Sequence, residues 1–496
     1  MTWGLAAAIA AGVAGDVRVL AVALFFFLRC SLQDPELGWA RPRAVGAGVL
    51  AVLAAGSYLY GYAAVLSHAG KTAAFDRAAA AGDGKLCLDG WVASYPQYRY
   101  GGMAFEFETR VGDARQVPIR ILVKSKEYVV GYGDSLRVDG HAYYAKENRR
   151  ASYGRYLKGR ALAGEIRAAG GGVVHLAGES GYVLTRRVFW PIHERVRCDV
   201  VRGLGARSGV PAALLIGERG FLNRKAPGIF ADLGLSHLLA LSGLHLGFVA
   251  AGFLLAARLT GRRNPLLLIV VLVTYVGIVG FIVSLVRALV MALLLIVASA
   301  VHRPLRPVSA LGNALLLLLI IMPLSMFSLS FQLSFLATYG VLRCVVLLKP
   351  SPGDYSWARR LWLAVRSSLL VSLSAQLFVT PLILHYFEGV SLLSPLATMI
   401  FVLPVAAILT ATAVCAGLSW ICQPAASIGF DGLGWFVVWF GKSVEWAGSV
   451  SPDRVNLPAP DIYLYYGGLG LLFHANGGRW ARSVGVVLLL IAFMCH

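Results

Sequence analysis

Runs of about 20 apolar residues, the length that crosses a bilayer as a helix, recur along this chain and are interrupted by one long polar insert. They fall at 4–28 and 44–66, then at 235–257, 265–282, 284–301, 308–322, 326–348, 361–384, 391–417, 425–441, 461–474 and 484–494. Asp16 and Arg18 break the first run and the last three are short or interrupted, so the expectation is about ten to twelve spans. Composition agrees, with 58% hydrophobic and 14% charged residues against about 25% charged in a soluble domain. The opening MTWGLAAAIAAGVAG lacks a basic n-region and stays apolar past any cleavage point, so it reads as the first membrane segment and not as a cleavable leader. The seven cysteines (30, 87, 198, 344, 415, 422, 495) lie far apart without a CxxC pair. They read as small buried residues, neither a disulfide framework nor a metal site, and no cofactor is expected.

The net charge of +20 first sets orientation, because cytoplasmic loops retain Lys and Arg. Basic residues cluster in five connections on one side: Arg29, Arg41 and Arg43; Arg258, Arg262 and Arg263; Arg303 and Arg306; Lys349, Arg359 and Arg360; Arg479 and Arg482. The intervening turns near 323–326 and 385–391 contain none. This alternation predicts that 67–233 lies outside the cytoplasm.

The insert changes period. LCLDGWVASYP, FEFETRVG, VPIRILVK and DSLRVDGHAYY are strand-like runs separated by Gly, Pro and Asp. Strands of this number and length suit a small barrel of the OB type. The expected fold class is therefore a polytopic α-helical membrane protein with an inserted extracytoplasmic OB-like β domain. The expected parts are N-terminal membrane segments (1–66), the β domain (67–182), a basic amphipathic linker helix and loop (183–233) and a helical bundle (234–496). On the insert, Tyr95, Tyr98, Arg99, Tyr100, Lys124 and Lys126 interleave aromatic with basic groups. Sequence-tolerant binding of a single strand needs that mixture, cations along the backbone beside rings that stack on bases. The alternative is that the rings are core and the charges a solvated face. The linker, LTRRVFWPIHERVRCDVVRGLGAR, sets Arg186 and Arg187 among Val, Phe and Trp. It reads as an interfacial helix at the membrane surface, in contact with lipid, or as a basic funnel toward the bundle.

Polar groups at membrane depth are costly and mark a pathway or a site. In GLSHLLALSGLHLGF, His237 and His245 are eight residues apart, which stacks them on one face of a continuous helix; Ser242 lies beside His245, and Gly243 permits close approach or a break. Arg287, Gln332, Ser334 and Gln376 are further interior candidates. Three readings remain open on these residues alone: a structural network between helices, a conduit for an anionic solute with Arg287 as charge partner, and a Ser242–His245 nucleophile–base pair. The last lacks both a GxSxG run and an orienting carboxylate. No HExxH or GxxxxGK[ST] is present, so neither a zinc protease site nor a nucleotide-driven motor is expected in this chain.

PAALLIGERGFLNRKAPGIFADLGLSHLLALSGLHLGFVAAGF, at 211–253, resembles the opening of the competence domain of the ComEC family through Gly217, Glu218, Arg219, Gly234, His237, Leu238, Ser242, Gly243 and His245. SLVRALVMALLL, SLSFQLSFLATYGV and SLSAQLFVTPLILHYF are similar to later segments of that family, in the same order, and NRRASYGRYLKGRALAGEI resembles the end of its OB-like domain. The resemblance implies an inner-membrane channel that passes single-stranded DNA inward during natural transformation, with the insert receiving the strand and His237, Ser242, His245, Arg287 and Gln332 forming or gating the channel. It implies as partners a DNA receptor, a nuclease and a cytoplasmic helicase; a homo-oligomer stays open. Many members carry a metallo-β-lactamase-like domain, whereas this sequence has no HxHxDH run, so the expectation is that this chain is no enzyme: either another protein cuts the strand or this is a short or divergent member. A transporter of another anionic polymer or small solute is the alternative function.

Overall fold

A computed structural model describes residues 44–469 apart from 100–101, 112–115, 127–129, 144–150, 260, 262–263, 303–304, 348–355, 388, 452–453, 456–463 and 467. The expected spans at 4–28 and 484–494, most of the span at 461–474, Tyr100, and the side chain of Arg99 lie outside the described residues.

The first described element, α1 (Ala44–Ala81), is a 38-residue helix. The change from apolar to polar near position 67 does not end it. Its second half is rich in alanine, the best helix former, and Phe75 and Ala79 are buried against the insert. Thus one continuous rod joins the bundle, where Tyr60 donates to the Ile320 carbonyl, to the base of the β domain.

That domain is a closed barrel of five strands: β1 (Lys85–Val92), β3 (Gly102–Val111), β4 (Val117–Ser125), β5 (Asp134–Tyr143) and β6 (Gly164–Glu179), with short β2 (Gln97–Arg99) extending the hairpin to β3. The order β1-β5-β6-β4-β3 closes through a β1–β3 pairing, and β4 runs parallel to β6 while the other pairs are antiparallel. This is the OB-like arrangement expected from the sequence. Burial alternates along β1 and β5, as period-2 strands with one face inward require. Phe105, Phe107, Ile119, Ile121, Leu136, Val138 and Ile166 fill the interior. Phe75 of α1 plugs one end: a Cβ placed on Gly164 would strike its ring. A short helix, α2 (Ala151–Gly159), bridges β5 and β6.

After the barrel, a π-turn at Thr185–Phe189 leads into α3 (Trp190–Leu204), then α4 (Gly209–Ile216), α5 (Ala226–Asp232) and α6 (Ser236–Leu239). The remaining helices are α7 (Gly243–Leu259), α8 (Pro265–Val279), α9 (Val283–Ala300), α10 (Pro307–Ile321), α11 (Leu329–Leu347), α12 (Trp357–Phe387), α13 (Ser394–Leu418) and α14 (Gln423–Val450). Among the described residues, α9, α12 and α13 are long and apolar enough to cross a membrane, and Gly243–Arg258, α8 and α10 are shorter apolar helices. The chain is a membrane protein. Tight breaks shorten several expected spans: Gly280 ends α8 with φ +93° and Phe281 follows with φ +56°, and Pro323–Phe327 forms a 3-10 turn between α10 and α11. The central core packs α4, buried from Pro211 to Ile216, against α3, α13 and α14.

The barrel meets the bundle at two places. Gly159 of α2 abuts the backbone of Ser328, Lys158 Nζ lies 3.7 Å from the centre of the Phe327 ring, and the Arg155 guanidinium lies 4.6 Å from that of Tyr386. On the other side, the segment between β1 and β2 seats Tyr95 on the α8–α9 turn, and β2 seats Tyr98 on Phe221. Phe75→Ala should open the barrel's plugged end and cost about 3–5 kcal/mol. In the full chain, hydrogen exchange should then lose protection selectively in β4 and β6; unchanged exchange there would mean that α1 does not support the barrel.

Candidate functional site

The run that carries two histidines is broken, not continuous. α6 ends at Leu239, Ala240 is extended, and α7 begins at Gly243. His237 and His245 therefore sit on different helices. His237 Nδ1 donates to the Gly234 carbonyl at 2.9 Å and Ser394 Oγ donates to the same oxygen at 3.2 Å, closing a turn in which Gly234 has φ +70°. His245 is 0% exposed. Its Nδ1 accepts the backbone N–H of Ser242 at 3.3 Å and lies 3.3 Å from Ser242 Oγ. A third helical residue reaching back to the N-cap amide is the geometry of a capping box, with imidazole in place of the usual carboxylate. The lone pair on Nδ1 is thus engaged by the cap, and Nε2 has no partner.

Arg287 lies five residues into α9 and is 6% exposed. Nη1 donates to Thr338 Oγ1 of α11 at 2.5 Å, and Thr338 in turn donates to the Ser334 carbonyl at 2.8 Å. The guanidinium lies 5.6 Å from the centre of the Phe335 ring, and its Nε has no partner. On α7, a Cβ placed on Gly243 would be 3.3 Å from Nη2 and 3.2 Å from the Cβ of Ala288, so only glycine lets these helices meet without displacement. Closer to the barrel, Ser284 of α9 and Ser330 of α11 share a 2.9 Å hydrogen bond. The seam between α9 and α11 is therefore polar over two successive turns.

Gln332 and Gln376 hold turns. Gln332 Nε2 donates to the Met326 carbonyl at 2.8 Å and Gln376 Nε2 to the Ser391 carbonyl at 3.1 Å; in each, Oε1 is buried without a partner. Both turns lie on the barrel side of the bundle. Of the interior candidates, the structure brings Gly243, Arg287 and Ser334 to one place and leaves His237 and Gln376 apart from it.

The basic and aromatic residues of the insert separate into two groups. Tyr95 and Tyr98 lie in the barrel–bundle junction. Tyr95 donates its hydroxyl to the Gly277 carbonyl at 2.8 Å and packs edge-on against Tyr132, Trp190 and His193. Tyr98 stacks on Phe221 and under the Arg197 guanidinium, which is also paired with Glu194 through a 2.8 Å bond from Nε. Lys124 is paired with Glu165 and Arg186 with Glu179, both at 2.9 Å, whereas Lys126 and Arg187 are exposed. One face of α3 is not at a surface: His193 donates Nδ1–H to the Ile278 carbonyl, and buried Asp199 accepts from Ser419 and Trp420.

Glu218, in the Gly-Glu-Arg turn between α4 and α5, is 3% exposed. Its carboxylate accepts the N–H groups of Gly220 at 3.1 Å and Tyr98 at 3.4 Å, tying the turn to the barrel. Nothing in the spacing of the Gly-Glu-Arg turn signals that its carboxyl meets the barrel. Thr338 was missed too, because a threonine in ATYG carries no mark of its partner. Among the described residues, no three His, Cys, Asp or Glu side chains gather as metal ligands.

Burial raises the Glu218 carboxyl to about 7, against the two backbone hydrogen bonds that lower it. Its folded value lies above its unfolded one, so its contribution to stability is full below about pH 4.5 and is lost as pH rises to about 7, an effect on the order of 3 kcal/mol. Melting of the purified chain from pH 5 to pH 8 should therefore fall more steeply than melting of Glu218→Gln. Parallel curves would contradict this placement of the carboxyl.

Comparison with known proteins adds two findings. The family model described as competence protein matches residues 214–477, a segment that contains the Gly-Glu-Arg turn, the broken histidine run, Arg287, Thr338 and both glutamines. "ComE operon protein 3" of Bacillus subtilis (strain 168) is 28% identical over 291 residues, which cover 58% of this chain and 34% of that protein. The chain thus aligns with about a third of the length of this curated relative. No solved structure matches it. Since that family match covers more than half of the sequence, this chain belongs to the competence protein family, that of ComEC.

Proposed function

We propose that this chain takes part in DNA uptake as the membrane conduit, passing a single strand from the barrel side to the cytoplasm. The observation that carries the reading is a juxtaposition. The barrel contacts turns that lack Lys and Arg (277–281 and 327–328), and directly beneath those turns the α9–α11 seam holds Ser284, Ser330, Thr338 and a guanidinium with an unpaired Nε. A polyanion crossing a low-dielectric slab needs polar, positively biased walls, because an unpaired buried charge is costly. Arg258, Arg306, Arg359 and Arg360 lie at the far ends of α7, α10 and α12. The retention of cations in the cytoplasm supports the reading of a multi-pass inner-membrane protein with the barrel outside.

On this reading Lys126 and Arg187, which are exposed, meet the strand first, while Tyr95 and Tyr98 hold the barrel over the bundle. A DNA receptor and a nuclease would act on the barrel side and a helicase on the cytoplasmic side. Bilayer lipids surround the helices; α14 presents exposed Trp435, Trp439 and Trp446 along one side.

Two measurements test this. In a transformable strain lacking its own family member and carrying this chain, uptake of labelled DNA should be restored. Arg287→Ala should lower uptake about tenfold or more, the loss expected when one charge-assisted contact disappears, with the amount of protein in the membrane unchanged. Absence of uptake with the unaltered chain correctly inserted would overturn the conduit. Second, the full chain in nanodiscs should bind oligothymidylate less tightly as salt rises, with a log–log slope of about −3 if about four phosphates are contacted. Binding indifferent to salt would rule out a backbone-directed grip.

A further inference from the structure

The Arg287 guanidinium keeps its charge at any physiological pH, and the protein completes only part of its bonding. Nη1 is satisfied by Thr338 and touches Met291 Sδ at 3.8 Å; Nε has no partner. Among the described residues no ion pair joins it to a carboxylate; it also lies near the Phe335 ring and beside Gly243. Nη2 faces Gly243, the first residue of α7. The first amides of a helix have no intrahelical acceptor, and they carry its positive partial charge. In α7 the Ser242 amide is taken by His245 Nδ1, and the Gly243 and Leu244 amides follow it. A fixed cation therefore abuts the positive end of a 17-residue helix, an arrangement that is repulsive in itself and becomes favourable around an anion. Gly243 holds the two at contact distance, and one turn further along the same helix a Cβ on Gly247 would meet nothing within 4 Å.

We propose that the N-terminus of α7 and Arg287 form an oxyanion site for a phosphate-type group, with Nε and Nη2 of Arg287 and the amides of Gly243 and Leu244 as its donors. The planar fork of a guanidinium matches two oxygens of one tetrahedral anion, which a monatomic halide cannot offer. The site lies about one turn below the barrel-facing end of α9, beyond the Ser284–Ser330 pair. On the strand-passage reading, on which the source of the group alone rests, it is the first station within the membrane for a backbone phosphate. Free phosphate shares the same chemistry.

The test uses the full chain in nanodiscs of zwitterionic lipid. Inorganic phosphate is titrated at constant ionic strength with gluconate as the balancing anion, and both thermal melting and affinity are read. Phosphate should raise the melting temperature of the unaltered chain, chloride should not, and Arg287→Gln should weaken phosphate binding about ten- to a hundredfold, the range for losing a charge-assisted contact. Arg287→Met in gluconate should melt no lower than the unaltered chain, because it removes a repulsion, and so reports folding separately from binding. Competition by a short oligothymidylate identifies the strand as the source; phosphate binding without competition keeps the site and counts against strand passage. Equal phosphate affinity in Arg287→Gln, or a shift given fully by chloride, would overturn the proposal.

Discussion

A backbone carbonyl freed at membrane depth must find a donor within the protein, because lipid supplies none. This constraint accounts for more of the bundle than any sum of apolar contacts. Its helices are repeatedly cut short, at 240–242, 280–282 and 322–328, and each break or its neighbour is closed by a side chain from elsewhere. Tyr95 and His193 serve Gly277 and Ile278 at the end of α8, Gln332 serves Met326, Gln376 serves Ser391, His237 serves Gly234, and Tyr275 serves Leu215. Polar residues that would be a burden in a uniform span become the fastenings of a broken one. Among the described residues, Arg287 Nε and His245 Nε2 are two of the buried polar atoms left without a partner.

The same constraint binds the β domain to the membrane part. Two of the donors that close α8 arrive from outside the span: Tyr95 from the barrel and His193 from α3. Glu218 completes the joint in the opposite sense, taking an amide of the barrel into the turn after α4. The barrel is therefore seated by hydrogen bonds to the helix ends it covers, by the α2 contacts at Phe327 and Tyr386, and by the rigid shaft of α1 that enters its base. A domain held at three points keeps a defined position over the α9–α11 seam, which a tethered receiver for a polymer would not.

Much of this was legible in the sequence. The apolar runs and the polar insert marked the membrane class, and the strand-like runs LCLDGWV and DSLRVDGHAY marked barrel strands. The limits are physical. Polarity marked a boundary at 67, but helicity is set by propensity and docking, so α1 runs on to Ala81. Eight-residue spacing implied one face for His237 and His245, yet spacing informs only while the helix continues, and the break at 240–242 separates them. Tyr95 and Tyr98 have the composition of a stacking surface; that they face α8 and Phe221 depends on how two domains dock, which no local pattern encodes. Arg287 was conspicuous as a lone charge in an apolar run, whereas Thr338, 51 residues away, became its partner only in three dimensions.

The central claim, that a strand passes along the α9–α11 seam, is tested most directly by trapping it there. A photoreactive residue replaces Thr338 in the seam in one chain and the exposed Ile428 of α14 in another, and both are illuminated during uptake of labelled DNA. The account predicts a DNA adduct at position 338 and none at 428. Equal adducts at both, or adducts at 428 alone with uptake intact in both chains, would contradict it.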